Sequence, residues 1–180
     1  MSLRILAAVA LCLAPLMAAD TGPERTRDFN SAWKFAKGDT TGAQAPGYDA
    51  TGWTEVDVPH DWSIAGPKQK KNPGGNRIGY FPTGIGWYRK AFEIPAEDNG
   101  KQIGIQFDGV YRDSEVWING VSLGRRPNGY ATFHYDLTPH IRFDGPNQLA
   151  VRVDNSSQPN SRWYTGSGIY RNVSLTVTDK

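Results

Sequence analysis

Three short segments of the chain, QIGIQF (102–107), QLAVRV (148–153) and VSLTV (173–177), set apolar against polar residues at every second position. A period of two puts alternate side chains on opposite faces of an extended strand, so each segment buries one face and wets the other. TEVDV (54–58), WYRKAFEI (87–94), EVWI (115–118) and TFHYDL (132–137) read as further strands. Gly, Pro and Asn separate these runs, and no stretch sustains the 3.6-residue period of an amphipathic helix. The pattern predicts an all-β domain. Its expected core is Ile103, Ile105 and Phe107, Val116 and Ile118, Leu149, Val151 and Val153, and Val173, Leu175 and Val177. Asn119-Gly120 suits a two-residue type I′ hairpin turn, in which both residues need positive φ. The strand count suits a jelly-roll β-sandwich, two sheets face to face, without fixing the strand order.

Asp61 to Gly86 shows no period and is rich in Gly, Pro and Asn, with NPGGN (72–76) reading as a turn. So long a loop in a compact domain is functional or disordered, and the aromatic Tyr80 and Phe81 predict that part of it packs. At the other extreme of order, the start MSLRILAAVALCLAPLMAAD has a basic residue, an apolar run and small residues at Ala18 and Ala19. That is the layout of a secretory signal peptide, and its apolar run is shorter than the roughly 20 residues a membrane span needs. The expected division is a signal peptide over 1–19, a linker over 20–26 and one domain over 27–180. Cys12, the single cysteine, falls in the signal, and the bulky Leu11 before it argues against a lipid anchor. A mature chain without thiols suits a bacterial secreted or periplasmic protein. No membrane association is expected after cleavage.

Net charge is +2 over 180 residues, with acidic and basic residues interspersed apart from KQKK at 68–71. Nucleic-acid binding needs a broad face of one sign, which this pattern lacks. Catalytic sets are missing as well. The three histidines, His60, His134 and His140, have no metal-ligand spacing, and neither a nucleophile elbow nor a phosphate-binding loop occurs. Asp57, Asp61, Asp108, Asp113 and Glu115 could in principle supply a glycosidase carboxylate pair, but nothing in the sequence sets two of them across a sugar. Aromatic content stands out instead, with six Trp and eight Tyr. Trp33, Trp53, Trp87 and Trp117 lie in or beside strand patterns and are expected to pack in the core or between the sheets. Trp62 and Trp163, each beside a charged residue in a loop, are candidates for sugar contact as much as for packing.

Four segments carry a resemblance. VPHDWSIAGP (58–67), GIGWYRKAFEIP (84–95), FDGVYRDSEVWINGVSLG (107–124) and SRWYTGSGIYRNVSL (161–175) resemble, in this order, the N-terminal sugar-binding domain of glycoside hydrolase family 2, especially in bacterial β-galactosidases. The resemblance covers the chain from about Phe29 to Val177 and implies a galactose-binding-domain-like jelly roll that caps the active site of a larger enzyme. In that family an immunoglobulin-like domain and a TIM barrel follow, and the barrel carries both catalytic glutamates. A barrel takes about 250 residues, and the Asn-Glu dipeptide of the family's acid/base site is missing here. The chain is therefore expected to be a fragment without hydrolytic activity of its own, with a free-standing carbohydrate-binding module as the alternative.

The same resemblance implies site residues. Arg162, in SRWY, matches an arginine that hydrogen-bonds hydroxyls of the terminal sugar. Its planar five-donor fork suits vicinal hydroxyls; β-glucuronidases of the family have an aspartate at this position, so the resemblance implies that Arg162 marks a galactosidase-like specificity. Asn172, in GIYRNV, matches an aspartate that contacts substrate and a sodium ion in some relatives. Asparagine keeps an oxygen acceptor but lacks the charge, which points to a structural hydrogen bond. No cofactor is expected of this chain, and sodium, magnesium or calcium would belong to the full enzyme. Asp61, in PHDW, either lines the pocket rim or pins its loop. Gly166 and Gly168 are expected to allow the turn that presents Arg162, with Arg171 bracing it. The implied partners are a β-galactoside or related glycan and the C-terminal domains of the enzyme.

Overall fold

A computed structural model describes residues 25–179. The expected signal peptide and Cys12 lie outside the described residues. Ten strands form: β1 (Thr26–Asp28), β2 (Trp33–Lys37), β3 (Thr54–Val56), β4 (Gly84–Phe92), β5 (Gln102–Phe107), β6 (Ser114–Ile118), β7 (Val121–Arg126), β8 (Phe133–Asp136), β9 (Asn147–Asn155) and β10 (Val173–Thr178). They make two antiparallel sheets, one in the order β1-β10-β5-β8 and one in the order β3-β2-β4-β9-β6-β7. The all-β sandwich read from the sequence is the fold.

Alternation sets the register. Val173, Leu175 and Val177 of β10 pair with Phe107, Ile105 and Ile103 of β5, and all six are buried. From the other sheet, Val116 and Ile118 pair with Val151 and Leu149, also fully buried. A one-residue slip would turn each of these sets to water, so the pairing is strongly specified. Burying each such side chain contributes about 1.5–3 kcal/mol. The β6–β7 hairpin turns on Asn119 (φ 50°) and Gly120 (φ 83°), as the type I′ reading requires.

Two departures matter. Trp33 fills the core, but Trp87 and Trp117 do not pack between the sheets. They stack on each other on the outer face of the six-stranded sheet, centroids 5.4 Å apart. The segment 38–53 folds over them, contributing Ala43, Tyr48 and Trp53. Arg89 ties that segment down by donating to the carbonyls of Ala43, Ala45 and Pro46, and Arg152 joins Asp39 at 2.9 Å. The second departure is β3, which ends at Val56 rather than Val58. There Asp57 leaves the ladder, and its carboxylate takes the Ala32 amide at 2.9 Å.

Candidate functional site

β9 leaves one sheet at Asn155 and β10 enters the other at Val173, so residues 156–172 must cross between the sheets. Backbone hydrogen bonds clamp this crossing on both flanks. On one side His60 and Trp62 donate to the carbonyls of Ile169 and Ser167, at 2.7 and 3.2 Å. On the other, Tyr111 and Gly168 exchange both of their bonds, at 2.9 and 2.7 Å. Such a fit leaves no room for a side chain at Gly168. A Cβ there would stand 2.2 Å from the Tyr88 hydroxyl and 2.7 Å from the His60 carbonyl, and its φ is +118°. Gly166, at φ +81°, makes the companion bend.

Asp61 is the pin of this corner. It caps the single turn α1 (Trp62–Ala65) by accepting the Ser63 amide at 2.9 Å. Its carboxylate also accepts the Ser167 amide at 3.0 Å and the Tyr164 hydroxyl. Three donors from two loops thus meet on one carboxylate, the geometry of the loop-pinning alternative. Burial first, and then the Asp61 carboxylate, hold the Tyr164 hydroxyl far above the usual tyrosine range. Below the pin lies a buried polar knot. Ser63 Oγ donates to Ser167 Oγ at 2.7 Å, and Asn155 Nδ2 donates to Ser167 Oγ at 2.8 Å and to the Gly166 carbonyl at 3.1 Å. His60 Nδ1 sits 2.8 Å from the Tyr88 hydroxyl. Burial lowers the His60 pKa, against the upward pull of Asp61, and burial raises that of Tyr88.

Arg162 stands at the crest of the corner, exposed and without a salt bridge or hydrogen bond to any other described residue. Trp163 beside it is 64 % exposed, whereas Trp62 is buried and stacks on Phe35 at 5.6 Å. Of the two loop tryptophans, Trp62 packs and Trp163 faces water. Asn172 belongs to a separate group. Its side-chain oxygen accepts from Asn30 Nδ2 at 3.4 Å, and its carbonyl takes the Asp108 amide at 3.0 Å. No trio of His, Cys, Asp or Glu suited to a metal gathers among the described residues. The site therefore unites Asp61 with the Arg162 corner and leaves Asn172 apart.

Sequence reading missed Tyr164, Ser167 and Asn155 as the partners that shape the corner. Asp-x-Ser at 61–63 signals the Ser63 cap alone, because an Asp side chain commonly accepts the amide two residues on; no local pattern signals the other three.

The chain belongs to the glycosyl hydrolases family 2, sugar binding domain, which it matches over residues 26–179. It is 55 % identical over 156 residues to the β-galactosidase BoGH2A of Bacteroides ovatus, covering 87 % of this chain and 18 % of that protein. Among solved structures it is similar to a β-glycosidase from Bacteroides vulgatus, with TM-score 0.83 and 51 % identity over 86 % of this chain and 20 % of that one. It is also similar to a β-glucuronidase from Bacteroides uniformis, with TM-score 0.76 and 35 % identity over 86 % of this chain and 18 % of that one. The chain thus spans about a fifth of the length of these relatives.

Proposed function

We propose that this domain supplies one wall of the sugar pocket of an exported family 2 β-galactosidase. Arg162 binds hydroxyls of the terminal galactose, and the hydrolytic chemistry belongs to a barrel domain. The observation that carries this reading is an exposed arginine, without a salt bridge or hydrogen bond to any other described residue, on a corner that Asp61 pins through Tyr164 and Ser167. Asp61 acts as the positioning residue that sets the crest through Tyr164 and Ser167. Identity to a named β-galactosidase at 55 % favours galactosides over glucuronides. Beside α1, an apolar groove lined by Phe35, Val56, Trp62, Ala65, Pro67 and Pro82 opens near Ile64, which is 64 % exposed. That surface suits cover by another domain of the same enzyme.

The test is Arg162→Ala in the enzyme that carries this domain. A charge-assisted hydrogen bond to a sugar is worth about 1.5–3 kcal/mol, so kcat/KM for galactosides should fall by roughly 10- to 100-fold, and Arg162→Lys should not restore it. An unchanged kcat/KM removes Arg162 from the site. Micromolar binding of galactose by the chain alone would instead favour a free-standing module. Export is checked by sequencing the N-terminus of the mature protein, expected near Asp20.

A further inference from the structure

The apolar groove beside α1 has a volume of about 380 Å³ and lies where the sandwich is left unroofed. Phe35 of β2 and Val56 of β3 line it, and both pack against the main core. β3 is three residues long and ends the six-stranded sheet, so no further strand covers that side. Trp62, Ala65, Pro67 and Pro82 complete the apolar lining from α1 and the loop after it. Lys37 is the one charged group in the lining. Its Nζ stands 5.4 Å over the Trp62 ring and donates to the Thr83 carbonyl at 2.6 Å. An ammonium has three donors, and no carboxylate pairs with Lys37 among the described residues.

Two residues of this groove also clamp the Arg162 corner. The His60 and Trp62 amides hold the Ile169 and Ser167 carbonyls, and the His60 carbonyl and the Trp62 ring edge crowd the place of a Cβ on Gly168. Packed interiors transmit displacement, so what presses on Trp62 and His60 from the groove bears on the crossing behind them. The occupant follows from length and charge. This chain spans about a fifth of its relatives, and a tethered segment of the same polypeptide acts at about millimolar effective concentration, ahead of any free partner. An unpaired ammonium at the edge of an apolar surface calls for a carboxylate beside an apolar side chain.

We propose that a loop from the remainder of the enzyme seats a large apolar side chain in this groove, with a carboxylate against Lys37, and that this seating fixes the corner bearing Arg162. The proposal rests on reading the chain as one part of a family 2 enzyme. Docking covers Phe35, Val56 and Trp62, gives Lys37 the ion pair it lacks, and backs Trp62 and His60 against residues 167–169. Sugar contact by Arg162 is thereby tied to assembly of the domains.

Hydrogen exchange read by mass spectrometry, on the 180-residue chain and on the enzyme that carries it, tests the docking. Amides of residues 54–67 and 161–169 should exchange roughly tenfold more slowly in the enzyme. Ala65→Arg, which fills the groove from an exposed position, and Lys37→Glu, which reverses its charge, should each abolish that protection. Both should lower kcat/KM for galactosides by roughly 2- to 30-fold. Thermal melts of the 180-residue chain with the same substitutions establish that the domain still folds. Equal exchange in chain and enzyme, or protection that survives either substitution, overturns the docking. Slowed exchange at 54–67 without any at 161–169 overturns the coupling to Arg162. Protection that grows with the concentration of the chain alone assigns the groove to a second copy and overturns the proposal as well. Exchange is read without reference to Arg162, whose role rests on the kinetics of its own variants, so either reading can fail without the other.

Discussion

Replacing Gly168 by alanine adds one methyl group where the sandwich has least room for it. Two costs can be read from the structure. Alanine at φ +118° occupies a region L-residues avoid, at about 1–3 kcal/mol. Its Cβ would sit 2.2 Å from the Tyr88 hydroxyl, 2.7 Å from the His60 carbonyl and 3.1 Å from the Trp62 ring, and two of those neighbours are buried aromatics. Forcing them apart is overpacking, at about 1–3 kcal/mol. Against this, alanine stiffens the unfolded chain and returns about 0.4–1 kcal/mol. The net loss is about 2–5 kcal/mol, a large share of the about 5–15 kcal/mol that holds a domain together. For a domain of this size that corresponds to roughly 5–15 °C in Tm. Urea unfolding followed by tryptophan fluorescence measures it directly. Gly166→Ala, whose Cβ meets only the Asp61 carboxylate at 3.0 Å, should lose about 1–2 kcal/mol. Gly52→Ala, with nothing within 4 Å, should stay within about 0.5 kcal/mol of wild type. A Gly168→Ala variant as stable as Gly52→Ala would refute the clamped-crossing geometry.

Two further outcomes follow from the same corner. Asp61→Ala removes a cap and two more accepted hydrogen bonds, so it should destabilise by about 2–4 kcal/mol and open residues 161–165 to proteolysis, whereas Asp61→Asn should lose less. His60 gives a pH signature: burial holds its folded pKa below the ordinary 6.5, so the unfolded chain binds the proton more tightly. The stability this contributes is fully present above pH 6.5 and is lost as pH falls through 6.5 towards the folded pKa. Denaturant midpoints at pH 8 and pH 5.5 should differ in that direction, and His60→Asn should flatten the difference.

How much of this was legible in the sequence depended on the period of each segment. β5, β9 and β10 alternate cleanly and were found within a residue or two. β2, WKFAK, and β7, VSLGRR, carry lysine, glycine and arginine where an alternating strand would carry apolar residues, and they gave no signal. Both become strands because a neighbour offers a ladder: β4 for β2, and the Asn119-Gly120 hairpin for β7. Trp87 looked like a residue packed between the sheets because a strand pattern cannot say what covers its outward face. That cover comes from residues 38–53, which carry no period at all. At the corner, glycine spacing and Asp61 were readable as turn chemistry. The convergence of Tyr164 and Ser167 on Asp61, 103 and 106 residues away, is a tertiary fact that no local pattern encodes.

The Trp87–Trp117 stack, capped by residues 38–53, changes what the six-stranded sheet can be used for. Residues Gly86 to Lys90 of β4 are all buried in succession, inward- and outward-pointing alike. A strand dry on both sides gives up the half-wet platform on which a sandwich could lay a glycan chain. The capped strand serves as a wall, and on the function proposed above recognition falls to the loops where the two sheets hand the chain from one to the other. Under that proposal, substitutions in those loops alter recognition while the wall behind them stays sealed.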